Sequence, residues 1–358
     1  MSAAARPLPP LLLRGDCIAR MRDLPDASID AVVTSPPYYG LRDYGHEGQG
    51  GQEETPDHYV AWLVSVFEQV ARVLKPTGTA WLNLGDSYAN NSKWGGSTSG
   101  KAARALHGAT GVGCSRRSTG APAKSLLGMP WRVALALQVE GWAIRSAVIW
   151  EKPNPMPEAV KDRPTKSYEH VFMLTRSTRY FYNAEAMQEP ASSVERPQRK
   201  RAEQLAAEKG LTPEHFAAIK AAGLSDAGKN ATMQTGTGRN ADDVQRLADE
   251  AKAALGGYYR EFLLSETRNS RDVWRIPTKP YRGAHFATFP IELAQRCIVA
   301  STPPGGIVLD PFAGSGTTLE AAHLEGFEAI GVELTPDYWP LIESRIERAV
   351  AARAKGGK

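Results

Sequence analysis

The sequence predicts an α/β fold, in which a doubly wound, mostly parallel sheet is interrupted by a largely helical insert. Short apolar runs alternate with amphipathic helical patterns over residues 11–150, and the same alternation returns over residues 290–349. Residues 188–257 are instead charged and alanine-rich. Strands that alternate with helices are typical of parallel sheets covered on both faces, so we expect the two ends of the chain to build one sheet.

The first half of the chain supplies most of the predicted strands. Residues 11–13 predict a short strand followed by a helix that ends near Met21, and residues 29–33 predict a buried strand. Residues 39–55 are glycine-rich and polar, as in a loop. One apolar face predicts a helix over residues 59–74, which ends before Pro76 because proline terminates helices. Further strands are predicted over 79–86, 142–150 and 171–175, and a helix over 130–140.

The insert and the late part of the core follow. Helices are predicted to begin near Thr212 and Asn240, where a polar cap precedes acidic residues, and the second ends near Gly256. The core pattern then resumes with helices over 290–301 and 317–325, strands over 306–310 and 328–332, and a last helix from Asp337.

The composition is that of an ordinary globular protein, with 42% hydrophobic and 23% charged residues in 358. The apolar run at residues 11–13 is too short to span a membrane and residues 1–10 lack the pattern of a secretion signal, so we expect a cytoplasmic protein with no membrane partner. Cys17, Cys114 and Cys297 show no paired or metal-ligand spacing, so neither a disulfide framework nor a metal site is expected.

The net charge of +4 says little by itself, but the basic residues are unevenly distributed. Residues 91–130 form a glycine- and serine-rich stretch without acidic residues that contains six basic ones: Lys93, Lys101, Arg104, Arg116, Arg117 and Lys124. Composition alone leaves two interpretations open, a solvated flexible loop or a loop that contacts phosphates.

Two short motifs lie where predicted strands end. Thr34-Ser35-Pro36-Pro37-Tyr38 follows the strand at 29–33, and Asp310-Pro311-Phe312-Ala313-Gly314-Ser315-Gly316-Thr317-Thr318 follows the strand that begins at residue 306. Ligands of parallel sheets bind at this edge. Each motif alone has a simpler interpretation, a proline-rich turn or polyproline ligand for the first and a tight glycine turn for the second.

Together the two motifs resemble the signature of the amino-group DNA methyltransferases, which move a methyl group from S-adenosylmethionine to an exocyclic nitrogen of adenine or cytosine. The catalytic motif comes first here, which resembles the permuted beta class with a Rossmann-like class I methyltransferase fold. The resemblance implies an N-terminal core part over 1–182 that includes the basic loop 91–130, a target-recognition insert over 183–275, a C-terminal core part over 276–349, and a tail over 350–358.

The resemblance also implies the residues that bind S-adenosylmethionine. Asp310, Phe312, Gly314 and Gly316 would line the pocket for its methionine portion, because glycine lets the backbone approach a ligand. An acid at the tip of the next strand can accept hydrogen bonds from both ribose hydroxyls, which assigns that role to Glu333. The remaining contacts would come from Asp16, facing the adenine amino group, and from Thr288, in the segment that caps the methionine end.

Catalysis is assigned by the same resemblance to Ser35, Pro36, Pro37 and Tyr38. The lone pair of an exocyclic amino nitrogen is delocalised into the base, so two acceptors, the Ser35 side chain and the Pro36 carbonyl, would hold both amino hydrogens and turn the lone pair towards the methyl group. Tyr38 would stack on a base swung out of the duplex. Ser at this position is commoner in cytosine-N4 enzymes and Asp in adenine-N6 enzymes, which slightly favours cytosine N4 and keeps adenine N6 open.

Double-stranded DNA is the expected partner. Besides the basic loop, Lys152 and Asn154 fit either a DNA contact or simple loop residues, and the cluster at 199–201 fits either a reader of DNA or a solvated face. The DNA contacts implied are Lys93, Lys101, Arg104, Arg116, Arg117, Lys152, Asn154, Arg199, Lys200 and Arg201. A homodimer and a cognate restriction endonuclease are left open, as are two other classes of function, a catalytically silent DNA-binding protein and an RNA or protein methyltransferase.

Overall fold

A computed structural model describes residues 7–41, 46, 48–89, 119–155, 157–158, 160–190, 197–226, 241–259, 267–278 and 289–356. The chain divides into two compact units. The first comprises Met1–Met187 together with Arg271–Lys358, and the second comprises Gln188–Ser270.

Both units contain strands and helices, which we number in chain order. The strands are β1 Leu11–Arg14, β2 Ile29–Thr34, β3 Leu74–Leu84, β4 Ala143–Glu151, β5 Tyr168–Thr175, β6 Gln188–Pro190, β7 Thr267–Asn269, β8 Val273–Arg275, β9 Ile307–Asp310 and β10 Glu328–Glu333. The helices are α1 Cys17–Arg22, α2 Pro56–Val73, α3 Met129–Val139, α4 Pro197–Glu208, α5 Pro213–Asp226, α6 Ala241–Leu255, α7 Ile291–Ser301, α8 Thr317–Glu325 and α9 Trp339–Gly356.

The first unit is built on an eight-stranded sheet with the order β1-β10-β9-β2-β3-β5-β4-β8. Neighbours from β1 through β3 are parallel, whereas β5 runs antiparallel to both β3 and β4. The predicted doubly wound, mostly parallel sheet is therefore confirmed. Because β5 is reversed, its first residues lie at the edge where the parallel strands end.

The strand order reverses between β2 and β9. From β2 the chain continues to its neighbour β3, and from β9 it continues in the opposite direction to its neighbour β10. In open α/β sheets such a switch point leaves a crevice outside the carboxyl ends of the two strands, and this is where ligands bind. Ser35 and Asp310 lie at those two ends.

Helices pack on both faces of this sheet, as the apolar patterns predict. Val32 of β2 packs in a core with α2 and α3, which includes Leu63, Phe67 and Val133. The next residue, Val33, points to the other face and joins a second core with α7 and α8. Successive side chains of a strand alternate between faces, so a strand covered on both sides reads as a continuous apolar run.

The helix α2 shows how local sequence sets an element's bounds. The Thr55 side chain accepts a hydrogen bond from the His58 backbone at 3.2 Å, and Pro56 occupies the first turn, where no backbone donor is needed. The helix ends at Val73, because β3 begins at Leu74 and includes Pro76 and Gly78. The strand predicted at 79–86 therefore begins earlier, at Leu74, and ends at Leu84.

The second unit contains α4, α5, α6 and the two-stranded sheet β6-β7. Ala202, Ile219, Ala251 and Leu255 form one of its small cores. The sequence predicts α5 and α6 but not α4, in which charged and glutamine residues outnumber apolar ones. The strand β8, Val273–Arg275, pairs in parallel with β4 and lies in the first unit, which resumes at Arg271.

Two further observations concern the end of the chain and its hydropathy. The sequence predicts a tail from residue 350, but the helix α9 continues to Gly356. Over the described ranges, no helix has the length and apolar character needed to cross a membrane.

Candidate active site

The two sequence motifs meet at the switch point of the sheet. The Thr34 hydroxyl donates a hydrogen bond to Asp310 Oδ1 at 2.6 Å, and the Thr318 hydroxyl donates to Asp310 Oδ2, also at 2.6 Å. Thr318 also approaches the Val33 carbonyl at 3.3 Å. The strand end before Ser35 and the start of the glycine turn are therefore held side by side.

Asp310 lies at the centre of this junction and is 1% exposed. Its carboxylate also accepts the Phe312 backbone N–H at 3.0 Å. Burial raises the pKa of Asp310 to about 6, although the bonds from Thr318, Thr34 and Phe312 oppose that rise. Both oxygens thus bind protein groups, which fixes the direction in which the chain leaves β9.

The glycine turn runs from Asp310 into α8. Gly314 and Gly316 both have positive φ, 54° and 82°, a conformation that strains other residues. A Cβ on Gly316 would also lie 3.2 Å from the Ile342 side chain. The turn therefore keeps a bare backbone at the start of a helix, which suits close approach by a ligand.

Glu333 at the end of β10 faces this turn. Its Oε2 accepts the Gly314 backbone N–H and its Oε1 accepts the Thr335 backbone N–H, each at 2.8 Å. Burial raises the pKa of Glu333 to about 7, partly opposed by those backbone bonds. Each carboxylate oxygen has a second lone pair, so the two acceptors fit a ligand that donates from two adjacent hydroxyls. These features fit the ribose and methionine portions of S-adenosylmethionine.

The other predicted cofactor residues lie on the same edge where the structure describes them. Asp16 follows β1, next to β10, and its Oδ1 accepts the Ala19 backbone N–H at 2.8 Å as the cap of α1. The Phe312 ring packs against the Trp62 ring, with centroids 5.6 Å apart. Thr288 lies outside the described residues. Binding of the cofactor by these residues stays a prediction.

The predicted catalytic segment directly follows β2. Pro36 is buried, and Ser35, Pro37 and Tyr38 are partly exposed. The Tyr59 hydroxyl donates to the Pro37 carbonyl at 2.8 Å, which anchors the segment to α2. Among the described residues, no hydrogen bond to the Pro36 carbonyl is found.

The Tyr38 side chain enters a polar network that the sequence analysis does not identify. Its hydroxyl lies 2.6 Å from Glu169 Oε2, 3.2 Å from Asn83 Oδ1 and 3.3 Å from Ser35 Oγ. The Asn83 amide donates to Glu169 at 3.1 Å. Asn83 lies near the end of β3 and Glu169 at the start of the reversed β5, so sheet topology brings both to Ser35.

Two residues predicted to contact DNA have protein partners. Lys152 forms an ion pair with Glu169, and its ammonium lies 4.4 Å from the centre of the Trp150 ring. The Asn154 amide exchanges two 2.9 Å hydrogen bonds with the backbone of Thr278. Lys152 thus points into the Glu169 network and Asn154 holds a neighbouring segment, and a DNA contact by either one stays a prediction.

The remaining basic residues are only partly described. Lys200 and Arg201 are exposed on α4 of the second unit, and Arg201 lies 3.9 Å from Glu208. Arg199 also belongs to α4. Of the six basic residues in the loop over 91–130, Lys124 is described and forms an ion pair with Asp162 at 2.6 Å. The other five lie outside the described ranges: Lys93, Lys101, Arg104, Arg116 and Arg117.

The chain is similar to known DNA methyltransferases. A family of N6/N4 methyltransferases described as DNA methylases matches residues 29–344. The Type II methyltransferase M.Cfr9I of Citrobacter freundii is 37% identical over 94% of this chain and 87% of its own length.

Two solved structures share the fold. The cytosine-N4-specific PvuII DNA methyltransferase has a TM-score of 0.54 and 17% identity, with 99% of this chain and 98% of that one covered. A protein of Thermus thermophilus, solved with S-adenosyl-L-methionine, has a TM-score of 0.51 and 22% identity, with 95% and 94% covered. By its family match over most of its length and by its relatives, this chain belongs to the DNA methylase family.

Proposed function

We propose that this protein transfers a methyl group from S-adenosylmethionine to an exocyclic amino group of a base in double-stranded DNA. The observation that carries this proposal is the hydrogen bond from Thr34 to Asp310, 2.6 Å long, which puts the two motifs at one switch point. A methyl donor held by the glycine turn and a base held at Ser35 would then lie in adjoining pockets.

The acceptors for the amino group would be Ser35 Oγ and the Pro36 carbonyl. An amino nitrogen whose two hydrogens are held by acceptors in a tetrahedral arrangement loses conjugation with the ring, and its lone pair becomes available. Bound S-adenosylmethionine would supply an electrophilic sulfonium methyl group. As the new C–N bond forms, the S–CH3 bond would break to leave S-adenosylhomocysteine, and the methylated nitrogen would release one proton to water. Pro36 and Pro37 restrict the backbone of this corner, so both acceptors are preorganised.

For cofactor binding, we propose that Glu333 accepts hydrogen bonds from the ribose hydroxyls and that the turn at Gly314 and Gly316 lies beside the methionine portion. Asp310, whose oxygens are satisfied by Thr34, Thr318 and Phe312, would support the pocket by fixing this turn. Asp16 keeps one carboxylate oxygen beyond its capping bond and is exposed, which suits a contact with the adenine amino group.

The base would be swung out of the duplex, because its amino group is inaccessible inside a stacked helix. Unstacking costs a few kcal/mol, which stacking on Tyr38 would help to offset. Cytosine N4 is the favoured target, since Ser35 resembles the motif of cytosine-N4 enzymes. Adenine N6 is the alternative.

The order of the motifs supports the permuted, beta-class assignment, because β2 with Ser35 precedes β9 with Asp310 along the chain. We propose that the second unit, Gln188–Ser270, is the target-recognition region. Lys200 and Arg201 on α4 are suited to contact phosphates or guanine. Since M.Cfr9I is named a Type II methyltransferase, we propose that methylation is site-specific. A cognate restriction endonuclease and a second copy of the chain are left open as partners.

Methyl transfer from labelled S-adenosylmethionine tests this function. Duplex DNA, single-stranded DNA and RNA of one base sequence would be compared as substrates. Label in duplex DNA alone or in preference supports the proposal, whereas preferential labelling of RNA supports an RNA methyltransferase. Binding of duplex DNA without transfer to any substrate would indicate a silent DNA-binding protein.

A further inference from the structure

A hydrogen-bonded series of three side chains, Tyr38, Glu169 and Lys152, lies behind Ser35 and ends at a largely buried ion pair. Lys152 pairs with Glu169 Oε1, and Glu169 Oε2 lies 2.6 Å from the Tyr38 hydroxyl, which lies 3.3 Å from Ser35 Oγ. The Glu169 and Lys152 side chains are only 12% and 19% exposed, so water competes weakly for these bonds.

The surroundings of this hydrogen-bonded series set the charge states of Glu169 and Tyr38. Burial acts to raise the pKa of Glu169, but Lys152, Tyr38 and Asn83 more than offset it, so that the pKa lies below its ordinary value and the carboxyl is ionised. Burial and the Glu169 charge raise the pKa of Tyr38 well above its ordinary value, so the phenol keeps its proton.

The single phenolic proton therefore has one preferred acceptor. Asn83 Oδ1 lies 3.2 Å away, but the ionised Glu169 is closer at 2.6 Å and forms the stronger bond. The Asn83 amide points its Nδ2 at Glu169 and at the His170 carbonyl, at 3.1 and 3.2 Å, which fixes that side chain. Tyr38 thus donates to Glu169 and offers only lone pairs to Ser35.

We infer that Glu169 and Lys152, acting through Tyr38, orient the Ser35 hydroxyl so that its oxygen is left as an acceptor for the amino group of the target base. The Ser35 proton is donated to Tyr38 Oη, and the Oγ lone pairs face the site. A serine hydroxyl can donate or accept, whereas an aspartate at this motif position only accepts. An enzyme with serine at this motif position therefore benefits from a neighbouring group that accepts the serine hydroxyl hydrogen and leaves the oxygen as an acceptor.

This inference rests on the proposed function and adds positioning residues to it. It also gives Lys152, predicted as a DNA contact, a different role. The Tyr38 ring packs closely against the Gly85 backbone, since a Cβ on Gly85 would lie 2.5 Å from Tyr38 Cε2.

A double-mutant cycle of Tyr38→Phe and Glu169→Gln tests the inference. The kcat, the KM for unmodified plasmid DNA and the Kd of S-adenosylmethionine would be measured for each variant. Tyr38→Phe keeps the stacking ring but removes the hydroxyl. Glu169→Gln offers an amide that donates to Tyr38 and reverses the direction of its proton.

We expect each single variant to lose roughly tenfold or more in kcat with KM and Kd little changed, as for a lost bond to a charged partner. The double variant should be no slower than the slower single variant, because both residues act through the same hydrogen-bonded series. Glu158→Gln is the matched control, since Glu158 pairs with Arg163 at 2.6 Å and does not belong to the hydrogen-bonded series. Its kcat should stay near the wild-type value.

Several outcomes would overturn the inference. Wild-type kcat in Tyr38→Phe, or losses that multiply in the double variant, would show that the residues act independently. If Glu169→Gln does not fold, Tyr38→Phe alone decides. A wild-type protein that transfers no methyl group would instead reject the proposed function and the inference with it, so the two failures are distinguishable.

Discussion

The Thr34 hydroxyl donates a 2.6 Å hydrogen bond to the buried carboxylate of Asp310, a residue 276 positions later in the chain. This contact joins the ends of β2 and β9, which are neighbours in the sheet. It is the point at which two motifs from opposite ends of the sequence become one site. Both fold stability and the shape of the glycine turn should depend on it.

Thr34→Val tests the contribution of this bond to stability. The substitution keeps the size of the side chain but leaves a buried carboxylate with one donor fewer, which should lower the free energy of unfolding by about 1–3 kcal/mol. Urea unfolding at about pH 8 measures it with Asp310 ionised, given its pKa of about 6. Thr34→Ser, the control, keeps the hydroxyl and should lose less; equal losses in both variants would mean that packing, not the bond, matters.

The affinity for S-adenosylmethionine should rise with pH through the pKa of Glu333. Burial raises that pKa to about 7, and ribose hydroxyls donate to the ionised form. At lower pH the group is protonated and binding must first remove the proton, so the Kd should fall about tenfold between roughly pH 6 and pH 8.

Isothermal titration calorimetry of the wild type and of Glu333→Gln measures this dependence. The cofactor's own amino group titrates in both proteins, so the difference between the two profiles isolates Glu333. Parallel profiles would remove the ribose role from Glu333.

Gly85→Ala should lower kcat because the new Cβ would lie 2.5 Å from the Tyr38 ring and displace it. Displacement of a positioned group by about 1 Å can reduce turnover up to roughly a hundredfold. The Kd for S-adenosylmethionine should not change. Gly257→Ala is the matched control, because nothing lies within 4 Å of the added Cβ. Unaltered kcat in Gly85→Ala would show that the Tyr38 position is not critical.

Replacing Lys200 and Arg201 together with alanine should weaken DNA binding and reduce its salt dependence. Each lost phosphate contact lowers the slope of log affinity against log salt by about 0.9. Fluorescence anisotropy with a duplex at several salt concentrations measures the slope. Arg246→Ala with Lys252→Ala removes the same charge from α6, where Arg246 is paired with Glu250 at 2.8 Å. If both pairs lower the slope equally, α4 is not the specific DNA surface.

The sequence predicts most of the fold because the strands of the first unit are apolar runs bounded by turns. Val32 and Val33 illustrate this, since they serve opposite faces of a sheet covered on both sides. Helix α4 was missed because it depends on few apolar contacts, of which Ala202 and Ala206 supply the buried ones. A charged helix of this kind gives little periodic signal.

The polar network of the site was missed for a different reason. Asn83 lies inside an apolar run, and Glu169 stands just ahead of the strand predicted at 171–175, so the hydrophobic pattern gives neither residue a role in the site. Their proximity to Ser35 depends on β5 running antiparallel between β3 and β4. Local sequence does not encode that direction, which long-range pairing sets.

Mass spectrometry of nucleosides from unmodified plasmid DNA treated with the purified protein and S-adenosylmethionine tests whether Ser35 takes part in amino-group methylation. We expect N4-methylcytosine with the wild type and none above background with Ser35→Ala, although that variant still binds the cofactor with unchanged Kd. N6-methyladenine in place of N4-methylcytosine would keep the amino-group chemistry and change the base. C5-methylcytosine, or an amino-methylated base formed equally well by Ser35→Ala, would contradict the account.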